Sequence, residues 1–208
     1  PTTPLMDPEN PTRYYNFMGQ VVGSNPVERQ KLEQDQADTK LLDWDATVKV
    51  NLLPLLAKDG KSNHHLTTQL MFADHQYSNN NTWFRPSTST IAINNGREGE
   101  ASRSYSKERQ QILEWLTNYN AEFNRHHVKV MAGYSYQYSN YSGFNAYNKD
   151  FPNDGLGADN IGSGEYAKEE GEICMGSYRN DSKLIAFFGR VSYDFAQKYM
   201  LTFSLRHE

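Results

Sequence analysis

The feature that most restricts the fold of this chain is a strict two-residue alternation of apolar and polar side chains. It is longest between positions 42 and 52, where the apolar members are Leu42, Trp44, Ala46, Val48, Val50 and Leu52. The residues between them are polar or charged, namely Asp43, Asp45, Thr47, Lys49 and Asn51. Successive side chains of a β-strand point to opposite sides of a sheet, so the pattern predicts a strand with one apolar and one wet face.

Five further segments repeat this alternation, and short turns join the segments in pairs. The turns fall at Asp59-Gly60, Asn124-Arg125 and Ala196-Gln197. Asp-Gly is a strong hairpin signal because both central residues of such a turn need positive φ. We therefore expect three hairpins separated by long polar loops. The hairpins are predicted at about 41–77, 111–139 and 184–208, and the loops at about 77–107 and 140–181.

One of these segments also fits a helix. The alternative is a helical stripe, preceded by good helix formers at 107–111 and made of Ile112, Trp115, Leu116, Tyr119 and Phe123. The period-two match is longer, and the turn and strand that follow would pair naturally with a strand. We therefore predict a strand here too.

Residues 1–40 lack the alternation and are predicted to be irregular, with a short strand or helix at most. The run from Tyr14 to Val22 is compatible with a short strand. Ser24-Asn25-Pro26 is typical of a helix start, because proline fits the first helical position. Both ends of the chain look cut, so we expect it to be part of a longer protein.

Composition narrows the range of functions. Hydrophobic residues make up 37% of the chain, and no run of about 18 apolar residues is present, so no transmembrane helix is expected. The net charge of -4, without a basic stripe, argues against nucleic acid as a partner. Cys174 is the only cysteine, which excludes an internal disulfide framework.

The alternation of short turns and long loops distinguishes one class of β-protein from others. Outer-membrane barrels alternate short periplasmic turns with long external loops, and their strands need about ten residues to cross the bilayer. We therefore predict an all-β fold in which residues 41–208 form six or seven antiparallel strands of a transmembrane β-barrel wall. Two alternatives stay open: a soluble β-sandwich that binds carbohydrate, and a small non-transporting barrel or adhesin.

An ordered series of motifs adds a resemblance to this pattern. The series is Gly133-Tyr134-Ser135-Tyr136-Gln137, Asp150-Phe151-Pro152-Asn153-Asp154, Phe187-Phe188-Gly189-Arg190-Val191-Ser192-Tyr193 and Lys198-Tyr199-Met200-Leu201-Thr202-Phe203-Ser204-Leu205-Arg206. It resembles the barrel of SusC/RagA-like TonB-linked outer-membrane transporters of Bacteroidetes. The likeness covers most of residues 20–208 and is most specific from Gly133 to Arg206.

That resemblance implies a location in the cell outer membrane and a barrel of about 22 strands. It also implies an N-terminal plug, contact with TonB through a part missing here, and a SusD-like surface lipoprotein as a lid. The imported ligand would be an oligosaccharide or a peptide, and which one cannot be read from the sequence. No enzymatic activity and no cofactor are expected, and we do not expect the chain to transport on its own.

Aromatic residues in the two predicted long loops are the best candidates for ligand contact, because exposed rings stack on sugar faces and peptide side chains. They are Trp83, Phe84, Tyr141, Phe144 and Tyr147. Packing of the loops on each other or on the lipoprotein is the competing interpretation.

Metal binding is not expected. Neighbouring strand residues point to opposite faces, so neither His64-His65 nor His126-His127 should chelate one ion. A weaker Ca²⁺ candidate is the oxygen-rich segment with Asp150, Asn153, Asp154 and Asp159. Its spacing does not match the EF-hand Ca²⁺ loop, so ordinary loop structure is favoured.

Overall fold

The structure is a computed structural model that describes residues 5–15, 25–53, 63–169 and 174–208. Its strands are β1 (Gln34–Asn51), β2 (His64–Arg85), β3 (Glu100–Phe123), β4 (His126–Lys149), β5 (Met175–Phe195) and β6 (Tyr199–His207). Its helices are short: α1 (Pro26–Leu32), α2 (Thr90–Asn94), α3 (Tyr166–Glu169) and a 3-10 helix (Gly157–Ser163). Across these described ranges, none of the helices is long and apolar enough to cross a bilayer.

The strands form one sheet in the order β1-β2-β3-β4-β5-β6, which confirms the predicted all-β, antiparallel architecture. In the last hairpin, Val191 lies opposite Phe203 and Phe195 lies opposite Tyr199. The ambiguous segment around Trp115 is part of β3, so its strand prediction is confirmed. A sandwich needs two facing sheets, and the described residues form a single six-stranded one, which does not support the soluble alternative.

Two of the predicted tight turns are present. Asn124 has φ 58°, and Ala196 and Gln197 have φ 54° and 57°. The second turn is closed by Lys198 N–H donating to the Phe195 carbonyl at 3.0 Å. The predicted turn at Asp59-Gly60 lies outside the described residues, as does most of the run from Tyr14 to Val22.

The strands are longer than the alternation predicts, so both predicted long loops need correction. β2 continues to Arg85 and β3 begins at Glu100, which leaves residues 86–99 rather than 77–107 between them. Similarly, 150–174 rather than 140–181 separates β4 from β5. The added part of β2 begins with five polar residues, Ser78 to Thr82, so no alternation marks it as strand, and cross-strand hydrogen bonds such as Asn81 to Ser104 (3.5 Å) occur there.

The chain forms two compact units. Unit 1 comprises residues 1–40, 78–107 and 142–179, and unit 2 comprises 41–77, 108–141 and 180–208. In unit 2, large apolar side chains share one face of the strands and remain solvent-exposed. They include Leu42, Trp44, Leu70, Trp115, Phe187, Val191, Leu201, Phe203 and Leu205. Polar pairs such as His75 with Asp43 (3.1 Å) and Arg190 with Ser204 (3.0 Å) occupy the opposite face.

Unit 1 has a small buried core instead of an exposed apolar face. Phe84, Ala101, Phe151 and Ala158 are buried together, with Ile161 packed against them. The segment after β4 is held in place by Asn148, whose amide donates to the carbonyl oxygens of Ile161 (2.8 Å) and Gly164 (2.9 Å).

Helix α1 also belongs to unit 1 and begins at the predicted Asn25-Pro26 pair. The Asn25 side chain accepts from Val27 N–H at 3.0 Å, as expected of an N-cap residue. Glu28 on this helix is 2% exposed and accepts from both the N–H and the hydroxyl of Thr90, at 2.6 and 2.7 Å. α1 is thereby tied to the start of α2.

Candidate ligand-contact region

A buried ion-pair network lies at the strand ends of unit 1. The guanidinium of Arg85 lies between two carboxylates, with Nε 2.9 Å from Glu33 and Nη1 2.6 Å from Glu100. The three side chains are 13%, 7% and 9% exposed, respectively. The network therefore joins the residue after α1, the last residue of β2 and the first residue of β3.

Two aromatic rings are attached to this network. Arg85 lies over the ring of Trp83, 4.8 Å from its centroid. The hydroxyl of Tyr147 donates to Glu100 at 3.4 Å. Burial, followed by the negative charge of Glu100, raises the pKa of the Tyr147 hydroxyl well above its usual range. Tyr147 therefore remains a hydrogen-bond donor at any physiological pH.

Tyr147 also lines a cavity of about 330 Å³ between the end of β4 and the start of β5. The other lining residues are Asn145, Lys149, Tyr166, Cys174, Met175 and Gly176. The ammonium of Lys149 is 5.2 Å from the ring centroid of Tyr147 and 4.6 Å from that of Tyr166. The guanidinium of Arg97 also lies near Tyr166, 4.7 Å from its ring centroid, and it binds Asp150 at 2.9 Å.

The five aromatic residues predicted to contact ligand lie on strands rather than in loops: Trp83 and Phe84 on β2, and Tyr141, Phe144 and Tyr147 on β4. Trp83 and Tyr147 come together through Arg85 and Glu100. Phe84 is only 3% exposed and packs edge-on against Phe151, so its ring is unavailable for stacking on a ligand. Strand alternation separates the faces of Trp83 and Phe84.

The remaining two aromatic residues are exposed and lie apart from this network. Phe144 is 51% exposed and contacts the ring of Tyr105, with centroids 6.1 Å apart. Tyr141 is 45% exposed and belongs to unit 2.

The Ca²⁺ candidate residues are used by protein donors. Asp150 binds Arg97 and accepts from Glu98 N–H at 2.9 Å. Asp154 accepts from the N–H (3.0 Å) and hydroxyl (2.8 Å) of Ser87. Asn153 accepts from Gly155 N–H at 2.9 Å, and Asp159 is 3.9 Å from Arg103. In the described part of the chain, no group of three or more His, Cys, Asp or Glu residues is placed to hold a metal.

The histidine pairs point apart, as strand alternation predicts. His64 Nδ1 is 2.8 Å from the Tyr119 hydroxyl, and His126 Nδ1 is 2.6 Å from that of Tyr193. His127 instead approaches Glu122 at 3.5 Å and lines a polar cavity of about 380 Å³ in unit 2. Each pair is therefore divided between two faces of its strand.

Glu33, Arg85, Glu100, Lys149 and Tyr166 were not predicted from the sequence. Arg85 follows Trp83 by two positions, so strand alternation would have placed them on one face if β2 had been extended. No local signal links residues 33, 85 and 100, because only the sheet register brings them together.

Known proteins resemble this chain in sequence over part of its length and in fold over most of it. No protein-family profile matches the chain. The TonB-dependent receptor P3 of Formosa agariphila is 32% identical over 127 residues, which are 60% of this chain and 12% of that receptor. This chain therefore corresponds to a small part of that relative's length.

Solved structures of the RagAB peptide importer, in its closed-closed and open-open states, share the fold. Each has a TM-score of 0.71 at 15% identity and covers 93% of this chain and 20% of the importer chain. The chain is thus similar in sequence to a TonB-dependent receptor and in fold to the RagAB importer, which agrees with the resemblance that the motifs predicted.

Proposed function

We propose that this chain forms part of the wall of a TonB-dependent, SusC/RagA-like importer in the cell outer membrane. In this proposal, the importer takes up oligosaccharides or peptides, a SusD-like surface lipoprotein closes over it, and TonB supplies the energy. The chain provides a lipid-facing sheet and a ligand-contact region, and has no catalytic role.

The observation that carries this proposal is the exposed apolar face of unit 2. Leu70 is 49% exposed, Phe187 58% and Phe203 65%. Isolated exposed apolar residues are ordinary, but a contiguous face of this kind marks contact with a membrane or another protein. Strands within a closed barrel can bury such a face in lipid, because their backbone groups are satisfied by the neighbouring strands.

Polar pairs bound the apolar face of β2 and β3 at both ends. At one end is the pair of His64 and Tyr119, and at the other Arg109 Nε binds Asp74 at 3.1 Å. Ten positions separate His64 from Asp74 along β2. At about 3.3 Å per residue and a tilt of about 45°, the apolar band is about 23 Å high, close to the roughly 25 Å of outer-membrane barrels.

The adjacent strands β4 and β5 repeat this arrangement. His126 with Tyr193 lies at one end of β4 and β5, and Tyr138 donates to Asp181 at 3.0 Å at the other. Tyr134 and Phe187 pack between these two pairs, with ring centroids 5.1 Å apart. Two strand pairs of the sheet, β2 with β3 and β4 with β5, therefore carry an apolar band with polar limits at both ends, which supports a membrane-crossing wall.

Uptake by cells that carry the intact gene product tests the importer proposal. Fluorescently labelled oligosaccharides and peptides should accumulate in these cells, and a protonophore or deletion of TonB should abolish accumulation. A strain without the gene is the control. Uptake that continues without TonB, or a protein absent from the outer-membrane fraction, would contradict the proposal.

A further inference from the structure

The cavity beside Lys149 has a chemistry that the proposed function does not specify. We propose that it binds an anionic group, a carboxylate or sulfate, of an oligomeric ligand, with Lys149 pairing the charge and Tyr147 and Tyr166 contacting the adjoining part of the ligand. The biological identity of the ligand rests on the proposed importer function, but the site itself does not.

The size and lining of the cavity suit part of a ligand. Its volume of about 330 Å³ lies at the lower end of the roughly 300–1,000 Å³ of small-molecule sites. The lining combines two phenol rings, one amide, one ammonium and the soft side chains of Cys174 and Met175. Mostly aromatic and apolar walls with a few polar groups are typical of a site that orients its ligand.

The charge of Lys149 is available to a ligand. Within the described residues, its recorded partners are the two tyrosine rings, and no carboxylate binds it. Two nearby acids of the described residues are already used, since Glu100 pairs with Arg85 and Asp150 pairs with Arg97. A half-buried ammonium that no described carboxylate binds favours the binding of an anionic ligand group. A charge-assisted hydrogen bond is about twice as strong as a neutral one.

Both rings are held in place by neighbouring charged groups. Tyr147 is fixed through its hydrogen bond to Glu100, which Arg85 holds in turn. Tyr166 has the guanidinium of Arg97 4.7 Å from its ring centroid and the ammonium of Lys149 at 4.6 Å. A ligand therefore meets rings that are already ordered, which lowers the entropic cost of binding.

Binding to the intact gene product in detergent tests this inference by calorimetry with four probes. Tri-galacturonate and a tri-aspartate peptide carry the anionic group on a sugar and on a peptide, and maltotriose and tri-alanine are the neutral counterparts. At least one anionic probe should bind, more tightly than its neutral counterpart. Lys149→Gln should raise its Kd about tenfold, and Lys149→Arg should retain most of the affinity.

Lys168→Gln is the matched control, because it makes the same charge change on an exposed side chain of unit 1 that does not line the cavity. Its Kd should stay within about twofold of the original, a change of about 0.4 kcal/mol. Equal binding of neutral and anionic probes, no binding of either anionic probe, or no effect of Lys149→Gln would overturn the inference. Lys149-dependent binding without TonB-dependent uptake would instead contradict the importer proposal alone.

Discussion

Arg85 joins three segments of unit 1 through its ion pairs. It bridges Glu33 and Glu100 while shielded from solvent, and its planar guanidinium can serve both carboxylates at once. A buried pair of this kind adds little net stability relative to an apolar replacement of all partners. Removal of a single partner is costly, since the remaining charges are left uncompensated.

Arg85→Met should therefore destabilise the protein by about 3 kcal/mol, because Glu100 loses its counter-ion and Glu33 keeps only the exposed Arg29, 3.4 Å away. Chemical denaturation of the intact protein in detergent, followed by its tryptophan fluorescence, measures this change. The triple variant with Glu33→Gln and Glu100→Gln removes the uncompensated charges and should recover most of the loss. An equally unstable triple variant would show that packing, rather than charge, explains the effect.

At the scale of elements, the turn between β5 and β6 holds two residues in an unfavourable backbone conformation. Ala196 and Gln197 both have positive φ, a conformation that disfavours residues with a Cβ atom by about 1–2 kcal/mol each. Asn and Gly adopt it more readily, and Asn124 already occupies such a position in the preceding hairpin.

Ala196→Asn combined with Gln197→Gly should therefore stabilise the protein by about 1 kcal/mol. The free energy of unfolding, measured in the same detergent, checks this value. Ser163→Gly, outside any hairpin turn, is a useful control because it adds a glycine without relieving a positive φ. A loss of stability in the turn variant would contradict the conformational explanation.

Much of the sheet was predictable from sequence because one-face burial imposes a period of two. Leu113 to Phe123 shows this, since the alternation correctly outweighed the competing helical stripe. The strand residues from Ser78 to Thr82 show the limit: all five are polar, so no alternation of apolar and polar side chains marks them as strand. The cavity beside Lys149 was not predictable, because it joins the end of β4 to Tyr166 on α3 and Cys174.

At the scale of the whole molecule, the two units differ in the solvent exposure of their apolar side chains. Unit 2 leaves them exposed on one face, and unit 1 buries Phe84 and Phe151 in a small core. The proposed membrane location explains this difference, because only the face of unit 2 would contact lipid. The same substitution should then have a large effect on stability in unit 2 and a small one at an exposed position of unit 1.

Leu70→Arg should destabilise the membrane-inserted protein by about 2–4 kcal/mol, the cost of a cation near the bilayer midplane. Folding of the intact protein into phosphatidylcholine vesicles provides the measurement. Leu156→Arg is the matched control, since Leu156 is 58% exposed and belongs to unit 1. Its effect should be within about 0.5 kcal/mol. Equal, small effects at both leucines would argue for a sheet that faces water.

β1 and β6, the two outer strands of the described sheet, bear on how the sheet assembles in a cell. Every described side chain of β6 is exposed, and β1 and β6 each have one strand neighbour among the described residues. Long, unpaired edges are templates on which other chains can assemble into aggregates. If the chain belongs to the proposed barrel, its biogenesis has to shield both edges, as by a chaperone that recognises bare β-edges, until other strands pair with them.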